Sequence, residues 1–250
     1  EGEDPAFLGG AFKPFDPSSK DNLIPKVKED RFKNRKELLD NFDKSRKFIS
    51  ATADSFTKIG DQAYSVVLGT AKDAFDLEQE SDSTKEKYGK SSVGSQLLLA
   101  RRLAEFGTKF VTVHYGGWDM HSNISNAIRG KVPPLDQALS ALVDDLEDRG
   151  MTQDTMLVVT GEFGRTKLNA NSGRDHWPSI TTLLLAGGNY SHGRVIGKAD
   201  KAYYPTSDKY GPLDLSATIF DHFGIDSKIQ KIDQAGRPRY LLDGEAKVIL

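Results

Sequence analysis

A chain of 250 residues is long enough to bury a substantial core, and 37% apolar against 28% charged residues marks it as globular rather than disordered. With 34 basic and 36 acidic residues the formal net charge is −2, so no bulk field draws the chain to nucleic acid or to anionic membranes. It has no cysteine, which removes disulfides, thiolate metal sites and thiol nucleophiles, and its longest apolar runs are strand-sized, far short of a membrane span.

Residues 1–28 carry Pro5, Pro14, Pro17 and Pro25 without a sustained period. They predict an extended arm that lays Phe7, Leu8, Phe12 and Phe15 on a neighbouring surface, and such an arm offers a route to a homo-oligomer or a larger assembly. From Arg31 to about Leu77 apolar residues return at three- and four-residue spacing (Leu38, Leu39, Phe42, Phe48, Ile49, then Ala53, Phe56 and Ile59), which predicts helices with solvated charged flanks. Residues 1–90 are therefore expected to form the arm and a helical cap region, and 91–250 the α/β part of the chain.

Ser92 to Gly107 predicts an amphipathic helix stopped by glycine, feeding a strand over Lys109–Tyr115. Pro133 to Gly150 predicts a second helix, opened by prolines, with Leu135, Leu139, Leu142, Val143 and Leu146 on one face. Strands are expected at Met156–Thr160 and Ile180–Ala186, and a third glycine-stopped helix at Pro212–Gly224. The alternation predicts an α/β layered sheet. The uniformly apolar run Met156–Val159 suits a buried parallel strand whose carboxyl end delivers charged groups into a crevice.

Two strand ends carry the chemistry. After Gly116–Gly117 come Asp119 and His121, two apart, a carboxylate and an imidazole suited to zinc, manganese or iron; an N-capping Asp beside a surface His is the plainer alternative. After Gly161 come Glu162 and Arg165, then Arg174–Asp175–His176–Trp177. An arginine here can clamp an oxyanion with its planar fork, and His176 can bind metal or move a proton. Asp175 is either a ligand or the group that orients His176, while Glu162 is either a ligand or half of an ion pair with Arg165 or Arg174. Trp177 reads as packing, and His114, His192 and His222 as non-catalytic. The glycines of GGNYSHGRVIG lack the following helix of a dinucleotide fingerprint, and no G-x-S-x-G elbow is present.

In combination, GGWDMHSN, DQALSALVDDLEDRG, VVTGEFGRT, GRDHWP, LLLAGG and GRVIG, with FLGGAFKPF and SQLLLARRLAEFG, resemble the family called domain of unknown function 1501 over essentially the whole chain. That family is grouped with sulfatases in the alkaline-phosphatase-like superfamily. The resemblance implies a mostly parallel mixed sheet sandwiched by helices, with metal held by Asp and His residues at its carboxyl edge. Asp119 and His121 stand where one ligand pair is found, Glu162 at the first residue of a second pair, and His176 at a later single ligand. Phe163 occupies the position of the second pair's histidine.

The superfamily's nucleophile follows a first strand, and nothing before Ser92 reads as strand plus nucleophile, so that part either lies outside this sequence or is lacking. The expected function is a metal-dependent hydrolase of small anionic phosphate or sulfate esters. Zinc or manganese would sit on Asp119, His121, Glu162 and His176, with Arg165, Arg174 and Asp175 as catalytic residues. The alternative is a non-catalytic envelope or assembly component on the same fold. Export by the twin-arginine route, and hence an extracytoplasmic location, is implied by the resemblance alone.

Overall fold

The computed structural model describes residues 13–15, 28, 30, 31, 33–38 and 71–249, apart from 208, 234 and 243. The chain divides into two compact units, Glu1–Asp76 with Ile232–Arg239, and Leu77–Lys231 with Tyr240–Leu250. In the first, residues 30, 31 and 33–38 are helical, as is α1 (Ala71–Ala74). Phe15 meets Phe75 edge to face at 6.0 Å. Phe7, Leu8 and Phe12 of the expected arm, and the helical pattern between residues 39 and 70, lie outside the described residues.

The second unit is built on three helices: α2 (Asp82–Tyr88), α3 (Ser92–Glu105) and α4 (Ile124–Asp148). Ser81 and Ser91 cap α2 and α3 by accepting the N–H groups of Thr84 and Gly94. The glycine stops expected at the ends of α3 and α4 are present. Gly107 and Gly150 take positive φ, and the following residue donates back to Leu103 and Leu146, closing the orphan carbonyls of the last turn. Tyr88, Val93, Leu97, Leu98, Ala138, Ala141, Leu142 and Leu146 form the core between these helices. The expected boundary at residue 90 lies between α2 and α3, two helices of this one core.

α4 starts nine residues before the first of its expected prolines, and Pro133 and Pro134 lie inside it. Each proline removes one rung of the hydrogen-bond ladder, and such residues read as a helix start when taken alone. Val143, expected on the apolar face, is 38% exposed, because the buried stripe runs through Ala138, Ala141, Leu142 and Leu146 instead.

A buried ion cluster ties the same helices together. Arg101, wholly enclosed, lies 2.7 Å from Glu80, 2.6 Å from Glu105 and 2.8 Å from Asp145. Arg102 pairs with Glu80, and Arg149 with Glu105 and Asp145, each at 2.8 Å. Tyr88 donates its hydroxyl to Asp145. Three cations face three anions, which is the condition for tolerating charge in a core. Burial alone would raise the pKa values of Glu80 and Asp145, but the arginine hydrogen bonds and charges outweigh it and hold both below their ordinary range.

Residues 156–187 form nested antiparallel hairpins. The outer pair is β1 (Met156–Thr160) with β4 (Leu183–Gly187), in register from Met156 opposite Gly187 to Thr160 opposite Leu183. The inner pair is β2 (Gly164–Leu168) with β3 (Arg174–Trp177). The fold is therefore mixed α/β, and every strand pair among the described residues is antiparallel. An apolar run does not encode the direction of its partner. Here the inner hairpin turns the chain back on itself with no crossover helix between β1 and β4, so those two strands meet antiparallel.

The segment 110–115, expected as a strand, runs without ladder pairing, yet its exposure alternates with the period of a strand from Phe110 to Tyr115. A cleft of about 1450 Å³ is lined by this segment, by Met156–Val158 of β1, and by Leu215 and Ile219 of α5 (Pro212–His222). The hairpin β5 (Gln230–Ile232) and β6 (Pro238–Tyr240) follows. No described helix is long and apolar enough to cross a membrane.

Candidate metal centre

The two charged loops meet through their backbones. Segments 120–124 and 169–174 run antiparallel. Arg174 N–H donates to Met120 O at 2.9 Å, Asn123 N–H to Asn171 O at 3.1 Å and Ile124 N–H to Ser172 O at 2.9 Å. Gly173 makes this approach possible. A Cβ there would lie 1.9 Å from the carbonyl carbon of His121 and 2.1 Å from its oxygen, so no side chain fits. On the other side, Lys131 of α4 donates to Gly116 O at 2.8 Å and lies over the rings of Tyr115 and Trp118, fixing the turn that presents Asp119.

The strand positions decide where the inner side chains go. β2 carries one more residue than β3 between the pairs Arg165–His176 and Leu168–Arg174, a bulge at Thr166 and Lys167. The Thr166 hydroxyl accepts from Asp175 N–H at 3.0 Å, and its carbonyl accepts from Arg174 Nη1 at 3.1 Å. Asp175 and His176 are neighbours on β3, and both reach the same cluster, Asp175 at His121 and His176 at Asp119. Asp175, one reading of which has it orienting His176, has its Oδ1 2.9 Å from Nδ1 of His121.

Three groups converge on one oxygen. His176 Nε2 lies 2.8 Å, His121 Nε2 3.0 Å and Arg165 Nη1 2.7 Å from Asp119 Oδ1. Asp119, His121 and His176 each offer a ligand atom, and these atoms lie within 4.8 Å of one another. All three residues are exposed, so their common focus faces solvent. Hydrogen bonds from His176 and then Arg165 bring the Asp119 carboxyl down to about 2. Its hydrogen bond to Asp175, followed by the nearby carboxylate charges, raises His121 above its ordinary value despite some desolvation. Asp175 is lowered by the bonds it accepts from His121 and Asn169.

The donor set fits a divalent ion. Two imidazole nitrogens and one carboxylate, with a side left open, match catalytic zinc sites, whose three protein ligands leave a fourth position free. With bonds near 2.0 Å, tetrahedral ligand atoms stand about 3.3 Å apart, close to the separations found here. Nδ1 of His121 is already engaged by Asp175, which leaves Nε2 as its coordinating atom.

Glu162 stands apart from this cluster, exposed on the turn between β1 and β2. Phe163 does reach it, its ring tilted against that of His176 at a centroid distance of 4.4 Å. Arg165 touches Asp119, whereas the Arg174 guanidinium donates to the Thr166 carbonyl. Trp177 packs as expected, edge to face on Tyr204, with its N–H on Tyr203 O. His192 bonds Gly187 O, and His222 contacts Phe223; both lie away from the cluster.

One family model matches residues 1–250. The chain belongs to the DUF1501 family. The description of that family is a protein of unknown function. No curated protein and no solved structure matches the chain. Sequence reading missed two residues that build the site in this family member, Asn169 and Gly173. Both sit in the run Asn-Ala-Asn-Ser-Gly, whose composition signals only a turn.

Proposed function

We propose that this chain is a metal-binding, hydrolase-like domain that acts on small phosphate or sulfate esters, with one divalent transition ion held by Asp119, His121 and His176. The observation that carries the reading is the convergence of both Nε2 atoms on Asp119 Oδ1, with Arg165 alongside. Zinc suits the two-histidine, one-carboxylate set better than manganese, which favours more oxygen ligands. Bound there, the ion would supply Lewis-acid polarisation of an ester oxygen. Arg165 would hold a non-bridging oxygen of the anionic group with its fork, and Asp175 would keep His121 in the tautomer that presents Nε2.

The finer fold reading also belongs here. The sulfatase-like resemblance carries a mostly parallel sheet between helices, and an extracytoplasmic location. The strand-like alternation of residues 110–115 along the cleft beside β1 supports a further sheet position there.

Metal analysis of the purified chain, followed by zinc titration, tests the site. Stoichiometric zinc lost on His176→Ala supports it, and a chain that takes up no zinc or manganese removes it. Turnover of aryl phosphate or sulfate esters that Asp119→Asn abolishes would support the reaction. Tight metal binding with no turnover of either ester by the complete protein would favour the non-catalytic alternative.

A further inference from the structure

We infer that Asn169 is the positioning residue of this centre, holding both the backbone and the ring of His121 in place for metal binding. The inference rests on the metal-site reading above. An asparagine amide has two N–H donors and one oxygen with two acceptor sites. At Asn169 all four are used. Nδ2 donates to His121 O and to Asp175 Oδ1, each at 3.1 Å. Oδ1 accepts from Asn171 N–H at 3.0 Å and from Gly173 N–H at 2.9 Å.

The orientation of this amide is forced. Turning it over would point its oxygen at a carbonyl and a carboxylate, and its NH2 at two backbone N–H groups, four repulsive contacts in place of four bonds. Asn169 therefore joins three things that the chain brings from far apart. Its oxygen shapes the 169–173 turn, and that turn sets Gly173 against the His121 backbone. One N–H grips the His121 carbonyl directly. The other holds Asp175 Oδ1, the same oxygen that takes His121 Nδ1 at 2.9 Å. His121 is thus held at its carbonyl and at Nδ1, and its free Nε2 faces Asp119 Oδ1 at 3.0 Å. The ring is 47% exposed, and its ring contact is with His176 at a centroid distance of 5.0 Å. Losing a partner that orients a metal-binding histidine costs affinity of about 10–100-fold.

The discriminating variant is Asn169→Asp. It is isosteric and keeps an oxygen to accept from Asn171 and Gly173, so the turn survives, but it sets an acceptor against the His121 carbonyl and the Asp175 carboxylate. Zinc titration against a competing chelating dye at constant pH, with the visible absorption of a cobalt-substituted sample, reads the effect. Asn169→Asp is expected to weaken zinc by about 10–100-fold and to alter the cobalt spectrum, at an unchanged denaturation midpoint. Adding Asp175→Asn, which returns a donor to the pair, is expected to recover roughly tenfold. Wild-type affinity and spectrum in Asn169→Asp would overturn the inference and leave the metal site standing. A weakened site with a lowered midpoint and no recovery in the double variant would assign Asn169 to turn stability alone and equally overturn it. A wild-type chain that binds no zinc would end both.

Discussion

The second unit contains two charged clusters of similar size and opposite construction. Around Arg101, three arginines pair with three carboxylates, with Arg101, Arg102 and Glu80 enclosed and Arg149 and Glu105 at the rim. Around Asp119, three groups crowd one exposed carboxylate oxygen, and the histidine nitrogens meet at a point open to solvent. The first cluster has no capacity left for a ligand, because every charge is used to neutralise another. The second crowds donors at one oxygen, and on the proposed reading a cation would take the two nitrogens and the oxygen as ligands. Perturbed acids alone do not separate a structural lock from a binding site; exposure and convergence do.

The largest effect should come from breaking the buried cluster. Arg101→Ala leaves Glu80 and Asp145 enclosed beside fewer cations and should destabilise the fold by about 3–5 kcal/mol in chemical denaturation. An unchanged midpoint would mean that water reaches the cluster. The same carboxylates set the acid limit. Both pKa values are lowered in the fold, so their contribution is complete above the unfolded values near 4 and is lost as pH falls through the folded values. Urea midpoints measured from pH 6 down to pH 3 should therefore decline, and Glu80→Gln should flatten the decline.

At the exposed cluster the expected pattern reverses. Asp119→Asn should weaken zinc by more than about 100-fold, beyond the loss of an orienting partner, while the denaturation midpoint of the metal-free chain stays unchanged. A large loss of fold stability would make Asp119 structural. Gly173→Ala links the two properties. Its Cβ would overlap the His121 backbone, so about 1–3 kcal/mol of stability and the zinc affinity should fall together. Smallest of all, Val143→Ser should stay within about 0.5 kcal/mol, because Val143 is exposed, whereas Leu142→Ala beside it should cost about 2–5 kcal/mol.

Much of the candidate site was legible because metal chemistry restricts residue type. Asp119, His121 and His176 are borderline-metal ligands placed after strand-like segments, and the structure brings those three together. Glu162 has the same chemistry but is exposed on the turn between β1 and β2 and is not one of the three residues that converge. Asp175 reads in the sequence as a ligand or as a partner of its neighbour His176, whereas its carboxylate meets Nδ1 of His121, a residue 54 positions away. Asn169 carries no chemistry of its own; its role exists only once four partners from separate segments surround it.

What the sequence by itself determined was local: helix ends at Gly107, Gly150 and Gly224, the apolar stripe of α4 save for Val143, and the short apolar strands β1 and β4. Glycine stops and hydrophobic period act within a few residues, so they survive in the sequence. The tertiary structure alone decided that β1 and β4 run antiparallel, that Arg101 is enclosed, and that His121 meets His176. Each of these depends on groups far apart in the chain, where an apolar run does not specify its partner and a charge does not specify its counter-charge.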